Sequence, residues 1–470
     1  MLQSGGKTGC NVSNFGDTRL EKRMGKIIEQ MTEKPSVSVP QATSDMHQAK
    51  ACYRFWDNAK VTPDRILKHH IDETRDIVSH HRTILAVQDT TELDFSSHKS
   101  ARNLGYLESE KQRGIKVHTS IAISTDGLPL GVLWQCQWTR PLEEYGKKQQ
   151  RKQKATQDKE SQRWLDCHNE INAMLGDNCT VIHVCDREGD IFDYLAAPRS
   201  GNQHILLRFA QDRCVEGEEH RIKAALEAQP VSGKFQVTVG RRGLEHPRKV
   251  ELSVKYLTVN ILPPTSRKKD SSIAPITLTA IKAYEESSDD EDKIEWYLLT
   301  TLPATSIEDA QLYVQYYSKR WLIERYHFIL KSGCQVETLQ LETAERLENA
   351  AATYCITAYR IMYMTYLARI KPEEDARVIL SEDEITALRL KFDTKEKIQF
   401  VTVSIAIIWI SRLGGFLARK SDGMPGLKTV WRGLLALEYL VEGFMIARNS
   451  FTKLSKNDSG SASYPYQTYG

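Results

Sequence analysis

The sequence predicts an α/β fold: a mixed sheet wrapped by helices, carrying a β-rich insertion and flanked by helical N- and C-terminal regions. Three observations predict it. Short apolar runs at 83–88 and 181–185 each lead directly into an aspartate, as buried strands do when they deliver polar residues to a crevice. Helical and strand patterns alternate from 161 to 208. Strand-like alternation then fills 212–304, and the chain is mostly helical from 307 onwards.

A chain of 470 residues is long enough for two to four domains. Apolar residues make up 40% and charged residues 27%, so a real core is affordable and broad disorder is excluded. Lys and Arg number 64 against 61 Asp and Glu, a net charge of +3. That balance excludes a protein held to nucleic acid by bulk charge, and leaves room for a local basic groove. The nine cysteines form no CxxC pair and are odd in number, which argues against a disulfide framework or structural zinc and for a reducing compartment. The opening MLQSGGKTGC lacks a signal-peptide core, and Val401–Ile410 is too short to span a bilayer. A soluble intracellular protein with no membrane partner is expected.

Residues 14–70 read as helices. Leu20, Met24, Ile27, Ile28 and Met31 form an apolar stripe, with Asp17 or Thr18 as cap. Residues 1–70 hold 11 Lys and Arg against 7 Asp and Glu. Arg19, Lys22, Arg23 and Lys26 are either a solvated helix face or a face meeting DNA phosphates. Thr83–Gln88 is a buried strand ending on Asp89-Thr90-Thr91. Val117–Ser124 and Leu130–Trp138 are strands joined at Thr125-Asp126-Gly127, a hairpin signal. The basic stretch Lys147–Lys154 reads as a loop or an exposed helix start. Ser161–Leu175 is helical, and Val181–Cys185 is a strand ending on Asp186-Arg187-Glu188. Ile191–Ala197 is a helix and Ile205–Arg208 a fifth strand.

Within the insertion, Phe235–Val239, Val250–Ile261, Ile276–Ala283 and Trp296–Thr301 alternate as strands. Pro263-Pro264, the basic Arg267-Lys268-Lys269 and an acidic spacer at 285–292 separate them. The C-terminal helices break at Arg412-Leu413-Gly414-Gly415-Phe416 and at Asp422–Gly426. Beyond 452 the Ser/Gly/Tyr-rich tail is expected to be disordered. The apolar run Val401–Ile410 and the stripe Leu427–Phe444 exceed what a terminal helix needs for itself, which predicts pairing of two chains through 400–445.

Asp89 and Asp186 follow apolar strands, where a carboxylate is either a turn former or a crevice residue. The third candidate is Glu324. On a continuous helix at about 100° per residue, with Tyr317 at zero, Arg320, Glu324 and Lys331 fall at roughly −60°, −20° and −40°. One narrow face then carries a phenol, a guanidinium, a carboxylate and an ammonium, which is either a salt-bridged solvent stripe or a strand-gripping face. Three oxygen ligands without histidine or cysteine suit Mg²⁺ or Mn²⁺. Two such ions about 4 Å apart can activate a hydroxyl and stabilise the leaving oxygen of a phosphodiester. No P-loop and no GxSxG elbow occurs.

The run Tyr317-x2-Arg320-x3-Glu324-x6-Lys331 resembles the Y-R-E-K signature of the IS-four family of bacterial DDE transposases, with special likeness to its Tn-five branch. Asp89-Thr90-Thr91 is similar to the family's first catalytic motif and Val184-Cys185-Asp186-Arg187-Glu188-Gly189-Asp190 to its second. Asp158-Lys159-Glu160-Ser161-Gln162-Arg163-Trp164 resembles the KES-x-[KR]-W run between them. Trp296, 21 residues before Tyr317, matches a base-pocket tryptophan, although its pattern alone is that of an ordinary strand aromatic. Gly16-Asp17-x-Arg19-x3-Arg23 and Tyr53-Arg54-Phe55 resemble the end-recognition motifs, and Arg412 through Phe444 the dimerisation region. Residues 1–13 depart from the family, as do Leu20, where relatives carry arginine, and Phe328, where they carry a DNA-contacting lysine.

The resemblance implies a ribonuclease H-like catalytic domain over 71–370 with its β-insertion at 212–304. It also implies an end-recognition domain over 1–70 and a dimerisation region with tail over 371–470. It implies a cut-and-paste transposase that binds terminal inverted repeats, cuts through a hairpin intermediate and joins the ends to target DNA as a homodimer. Asp89, Asp186 and Glu324 would be catalytic and hold two Mg²⁺ per site, with Mn²⁺ able to substitute. Arg19, Arg23, Arg54, Arg208, Trp296, Tyr317, Arg320, Trp321 and Lys331 would contact DNA. The place of action would be the bacterial cytoplasm, at the nucleoid. The rival readings are a ribonuclease H-like nuclease without strand transfer and a non-catalytic, transposase-derived DNA-binding protein.

Overall fold

The computed structural model describes residues 15–43, 45–147, 156–239, 248–264, 274–286, 293–393 and 398–458. Residues 1–13, the basic run 148–154, Arg267–Lys269, positions 287–292 of the acidic spacer and the tail beyond 458 lie outside the described residues.

The N-terminal helices form where caps and apolar stripes coincide. Helix Thr18–Glu33 starts at Asp17, whose carboxylate accepts from the Arg19 amide at 2.9 Å, and buries Met24, Ile27 and Met31. Helices Met46–Trp56 and Pro63–Val78 are capped by Asp45 and Thr62, the latter with proline in its first turn. All three gather around the central helix Ala344–Ile370. The Trp56 indole donates to Thr353 Oγ1 at 3.1 Å, and Asn349 Nδ2 donates to the carbonyls of Trp56 and Val61 at 2.9 and 3.0 Å. Ala350, Ala351, Ala352 and Ala358 are buried on that helix, where small side chains let neighbours approach.

The sheet has ten strands: β1 (Thr83–Asp94), β2 (Gly105–Tyr106), β3 (Arg113–Ser124), β4 (Pro129–Trp138), β5 (Thr180–Cys185), β6 (Gln203–Arg208), β7 (Gly233–Val239), β8 (Arg248–Ile261), β9 (Ile276–Tyr284) and β10 (Glu295–Thr300). Their order is β2-β3-β1-β5-β6-β10-β9-β8-β7, with β4 paired to β3. β1, β5 and β6 are parallel, and β3 and β10 run antiparallel to the neighbours that flank them. The predicted β3–β4 hairpin forms, with Gly127 at φ 106° where an L side chain would be strained. Ile84, Leu85, Ala86, Val87, Val181 and Val184 are fully buried between helical layers, as their unbroken apolar runs require.

Four expectations are corrected or refined. First, the strand carrying Asp89 does not end there. β1 runs on to Asp94 because β3 keeps pairing with it, Asp89 lying opposite Thr119. Second, the β-rich insertion expected inside the α/β domain is refined rather than overturned, its strands joining the central sheet. β10 bonds to β6, so β7–β10 extend the same sheet, and a helix at Ile222–Ala228 accompanies them. Third, the last helix, Leu427–Asp458, continues past the expected start of the tail at 452. Fourth, the C-terminal apolar stripe is used inside the subunit. Val403, Ile407 and Ile410 of helix Val403–Leu413 are buried, as are Val430, Leu434 and Leu437 of the last helix. These two helices touch backbone to backbone: a Cβ on Gly414 would fall 2.0 Å from the Thr429 carbonyl oxygen, and one on Gly433 would fall 1.9 Å from that of Ile410. No described helix is long and apolar enough to cross a membrane.

Candidate active site

Asp89 stands where its parallel neighbour stops. The β1–β5 ladder ends at Val87–Val184, so beyond it β1 at Asp89 is paired with β3 alone. Its Oδ1 accepts from the Thr90 amide at 2.8 Å. Asp186 follows β5 directly and caps the turn Arg187–Gly189, accepting from the Glu188 amide at 2.8 Å. Both aspartates therefore fill the local backbone role that short polar side chains favour, and both stand just past the end of the parallel β1–β5 ladder. Glu324 lies in the first turn of helix Trp321–Phe328 with its side chain 48% exposed.

Arg320 is the group that unites two of them. Its Nη1 is 3.5 Å from Asp89 Oδ2, and its Nη2 donates to Glu324 Oε1. Burial pushes the Asp89 carboxyl up to about 7; Arg320 pulls it back, while the charges of Asp186 and Glu324 add to the push. Among the described residues no three Asp, Glu, His or Cys side chains are close enough to share an ion. Asp89, Asp186 and Glu324 share one electrostatic neighbourhood, and a guanidinium stands between two of them. Oxygen-only donors, a buried carboxyl short of positive charge and a cation already placed among them fit a hard divalent ion.

The other predicted contacts fall in three places. Tyr317, only 4% exposed, ends helix Ile307–Ser318, and burial raises its phenol to about 12. Trp296 on β10 meets the Tyr317 ring edge to face at 5.2 Å and 72°. Arg208, at the end of β6, donates to the Glu295 carbonyl at 2.9 Å and lies within electrostatic reach of Tyr317 and Arg320. These three flank the site. Tyr317–Lys331 is not one regular helix, a correction to the continuous-helix reading. The chain turns at Lys319–Arg320, and Ile329–Gly333, which holds Lys331, winds as a π-helix. The Lys331 ammonium pairs with Glu337 at 3.3 Å. Trp321 packs on Tyr366, ring centroids 6.3 Å apart. Arg19, Arg23 and Arg54 lie apart on the N-terminal helices, with Arg19 and Arg54 exposed.

Arg163, within the Asp158–Trp164 motif, has a part that the motif alone does not assign. It clamps β1 to the turn that follows β5. Its Nε donates to Thr90 Oγ1 at 3.0 Å, its Nη2 to Glu188 Oε2 at 2.6 Å and its Nη1 to the Glu160 carbonyl at 2.7 Å. Beneath runs a polar line through the sheet. Thr90 Oγ1 donates to His118 Nδ1 at 2.8 Å, His118 Nε2 to Gln88 Oε1 at 3.4 Å, Gln88 Nε2 to His183 Nδ1 at 3.0 Å, and His183 Nε2 to Gln203 Oε1 at 3.2 Å. Each imidazole accepts at Nδ1 and donates at Nε2, so a single neutral tautomer satisfies the whole line. The available signal was polar Gln88, His118 and His183 inside otherwise apolar strand runs.

Three family models match in chain order: transposase DNA-binding over residues 7–61, transposase DDE domain over 135–360, and transposase Tn5 dimerisation domain over 356–453. The chain belongs to the DDE transposases. The DDE match includes Asp186 and Glu324 and begins after Asp89. The transposase is a metal-dependent DNA-cleaving and strand-transfer enzyme that binds DNA and forms dimers. Its mixed α/β core, with helical regions at both ends, is the ribonuclease H-like arrangement of that family.

Proposed function

We propose that this transposase moves its element by cut and paste, with Asp89, Asp186 and Glu324 as the catalytic carboxylates. The observation that carries the assignment is Arg320, bonded to Glu324 and 3.5 Å from Asp89, with Asp186 acting on the same Asp89 carboxyl. Two Mg²⁺ per site, or Mn²⁺ in their place, would polarise the scissile phosphodiester and ease deprotonation of the attacking hydroxyl or water.

The chain's own groups do the rest. Asp89, Asp186 and Glu324 supply oxygen donors from two strands and a helix. Arg320, once relieved of the carboxylates, turns its fork to a strand phosphate, with Arg208 and Tyr317 beside it. Lys331 steadies the backbone further along. Residues 1–70, through Arg19, Arg23 and Arg54, read the terminal inverted repeats; 71–370 cut and join; 371–470 pair two protomers so that two ends are held together. A first cut would release a 3′-hydroxyl, whose attack on the opposite strand forms a hairpin. Reopening frees the end to join target DNA. Such a protein works at the bacterial nucleoid.

The test is a gel shift and a cleavage assay with Mg²⁺ on the element's own ends. Asp89→Ala, Asp186→Ala and Glu324→Ala should each abolish cleavage while end binding stays near normal. Near-normal cleavage by any one variant removes that residue from the site.

A further inference from the structure

Where helices Trp321–Phe328 and Ala344–Ile370 meet the start of Leu427–Asp458, three cations gather around three aromatic rings. Arg325 stacks over Trp321 at 5.7 Å and over Phe328 at 5.4 Å, and Lys428 stands 5.9 Å from the centre of the same Phe328 ring. Arg369 lies 5.2 Å over Tyr366, whose ring is 6.3 Å from Trp321. Nearby Arg320 has two carboxylate partners. Among the described residues, Arg325, Arg369 and Lys428 have none within ion-pair distance.

The hydrogen-bond inventory is also incomplete. The Nε atoms of Arg325 and Arg369 are buried without a partner. Arg369 donates one Nη2 hydrogen bond to the Pro425 carbonyl at 2.9 Å, which ties down the loop leading to Lys428. Stacking on a ring satisfies the face of a guanidinium and leaves these two Nε–H groups unserved. Three like charges in one half-buried spot, with no counter-charge, are uphill until an anion completes them. Burial lowers the pKa of Arg369, and the charge of Arg325 adds to that.

We propose that Arg325, Arg369 and Lys428 form a binding site for a backbone phosphate of DNA, distinct from the cations that line the cleavage site. The planar forks of two arginines match phosphate oxygens, and the lysine adds a compact charge at the exposed rim. Arg325 follows Glu324 on one helix, so a strand lying across the cleavage site passes close to this cluster. The phosphate comes either from the element's end or from target DNA.

The salt dependence of DNA binding by the full chain tests this, with two probes: a duplex carrying the inverted repeat that flanks the gene, and a scrambled duplex. In the R325Q/K428Q double variant the slope of log affinity against log salt should fall by about 0.9, the value of one lost phosphate contact. Loss on the repeat duplex alone assigns the phosphate to the element's end. Loss on both duplexes, or on the scrambled one alone, assigns it to DNA held without regard to sequence, as a target is. An unchanged slope on both probes overturns the proposal. Circular dichroism monitors folding; if the double variant unfolds, K428Q alone decides, because Lys428 is exposed and its loss leaves the packing intact. No cleavage is read, so failure of the catalytic assignment would leave this result interpretable.

Discussion

Trp296 is half-buried on β10, and its indole leans edge-on against Tyr317 rather than disappearing into the core. That position suits a ring on which a displaced base can stack. A tight DNA hairpin strains its terminal pairs, and parking one base on an indole recovers about 1–3 kcal/mol. First-strand nicking needs no such distortion. Trp296→Ala should therefore accumulate nicked ends and lose hairpins roughly tenfold or more on denaturing gels. An equal fall of both products would sink the base-pocket role. At this scale the three carboxylates could be put forward as candidates because each stands in or after a recognisable run. Arg163 could not, because its partners Thr90 and Glu188 are 73 and 25 residues away and only the fold joins them.

Strands were legible wherever apolar runs were unbroken, and helices wherever a cap preceded a stripe. The errors have one cause, which is pairing between segments distant in sequence. β1 continues past Asp89 because β3 accompanies it, and the place of the insertion strands within the sheet could not be read because β10 finds β6. The Tyr317–Lys331 run is not the one continuous helix assumed for it, because a turn and a π-helical segment interrupt it. The sheet and its neighbouring helices also set a pH limit. Burial holds His70 and His168 down to about 4 and His327 to about 3, and leaves His118 and His183 well below the usual imidazole range. In the unfolded chain these groups titrate near 6.5, so below that pH the unfolded state takes up protons that the fold refuses. Stability from these histidines is complete above about 6.5 and drains away as pH falls toward 4, at about 1.4 kcal/mol for each tenfold change in proton affinity. Asp89 and Glu348, both pushed up to about 7 by burial, act in the opposite sense and offset part of this. Five histidines against two acids leave a net loss. The denaturation midpoint in urea should be lower at pH 5.5 than at pH 7.5, and an equal or higher value would count against the buried neutral line.

Across the whole molecule, the C-terminal third is more integrated than its apolar pattern suggested. Truncation after residue 400 would strip Val403, Ile407, Ile410, Val430 and Leu434 from the core and unfold what remained. Pairing must use what the subunit leaves outside. Ile446, 68% exposed on the last helix and inside the region matched to the dimerisation domain, is the best-placed apolar contact. Ile446→Glu should leave the monomer's thermal midpoint nearly unchanged, leave single-end binding intact, and reduce paired-end complexes by about tenfold or more, as expected for a buried apolar anchor. Sedimentation with end DNA would detect it, and a full yield of paired complexes would place the interface elsewhere.

The shared ladder between β6 and β10 bears on any attempt to make this enzyme smaller. Ile205, Leu206 and Leu207 of β6 are wholly buried, with β5 on one flank and β10 on the other. Excising 212–304 as though it were an appendage would leave a raw, apolar strand margin with unmet N–H and C=O groups, the kind of surface that recruits foreign chains into intermolecular sheets. The shortened product should pellet on expression, and a soluble, monodisperse one would show that some other segment had closed the gap. On this reading the strands of the insertion cover β6 and so guard the subunit against intermolecular pairing.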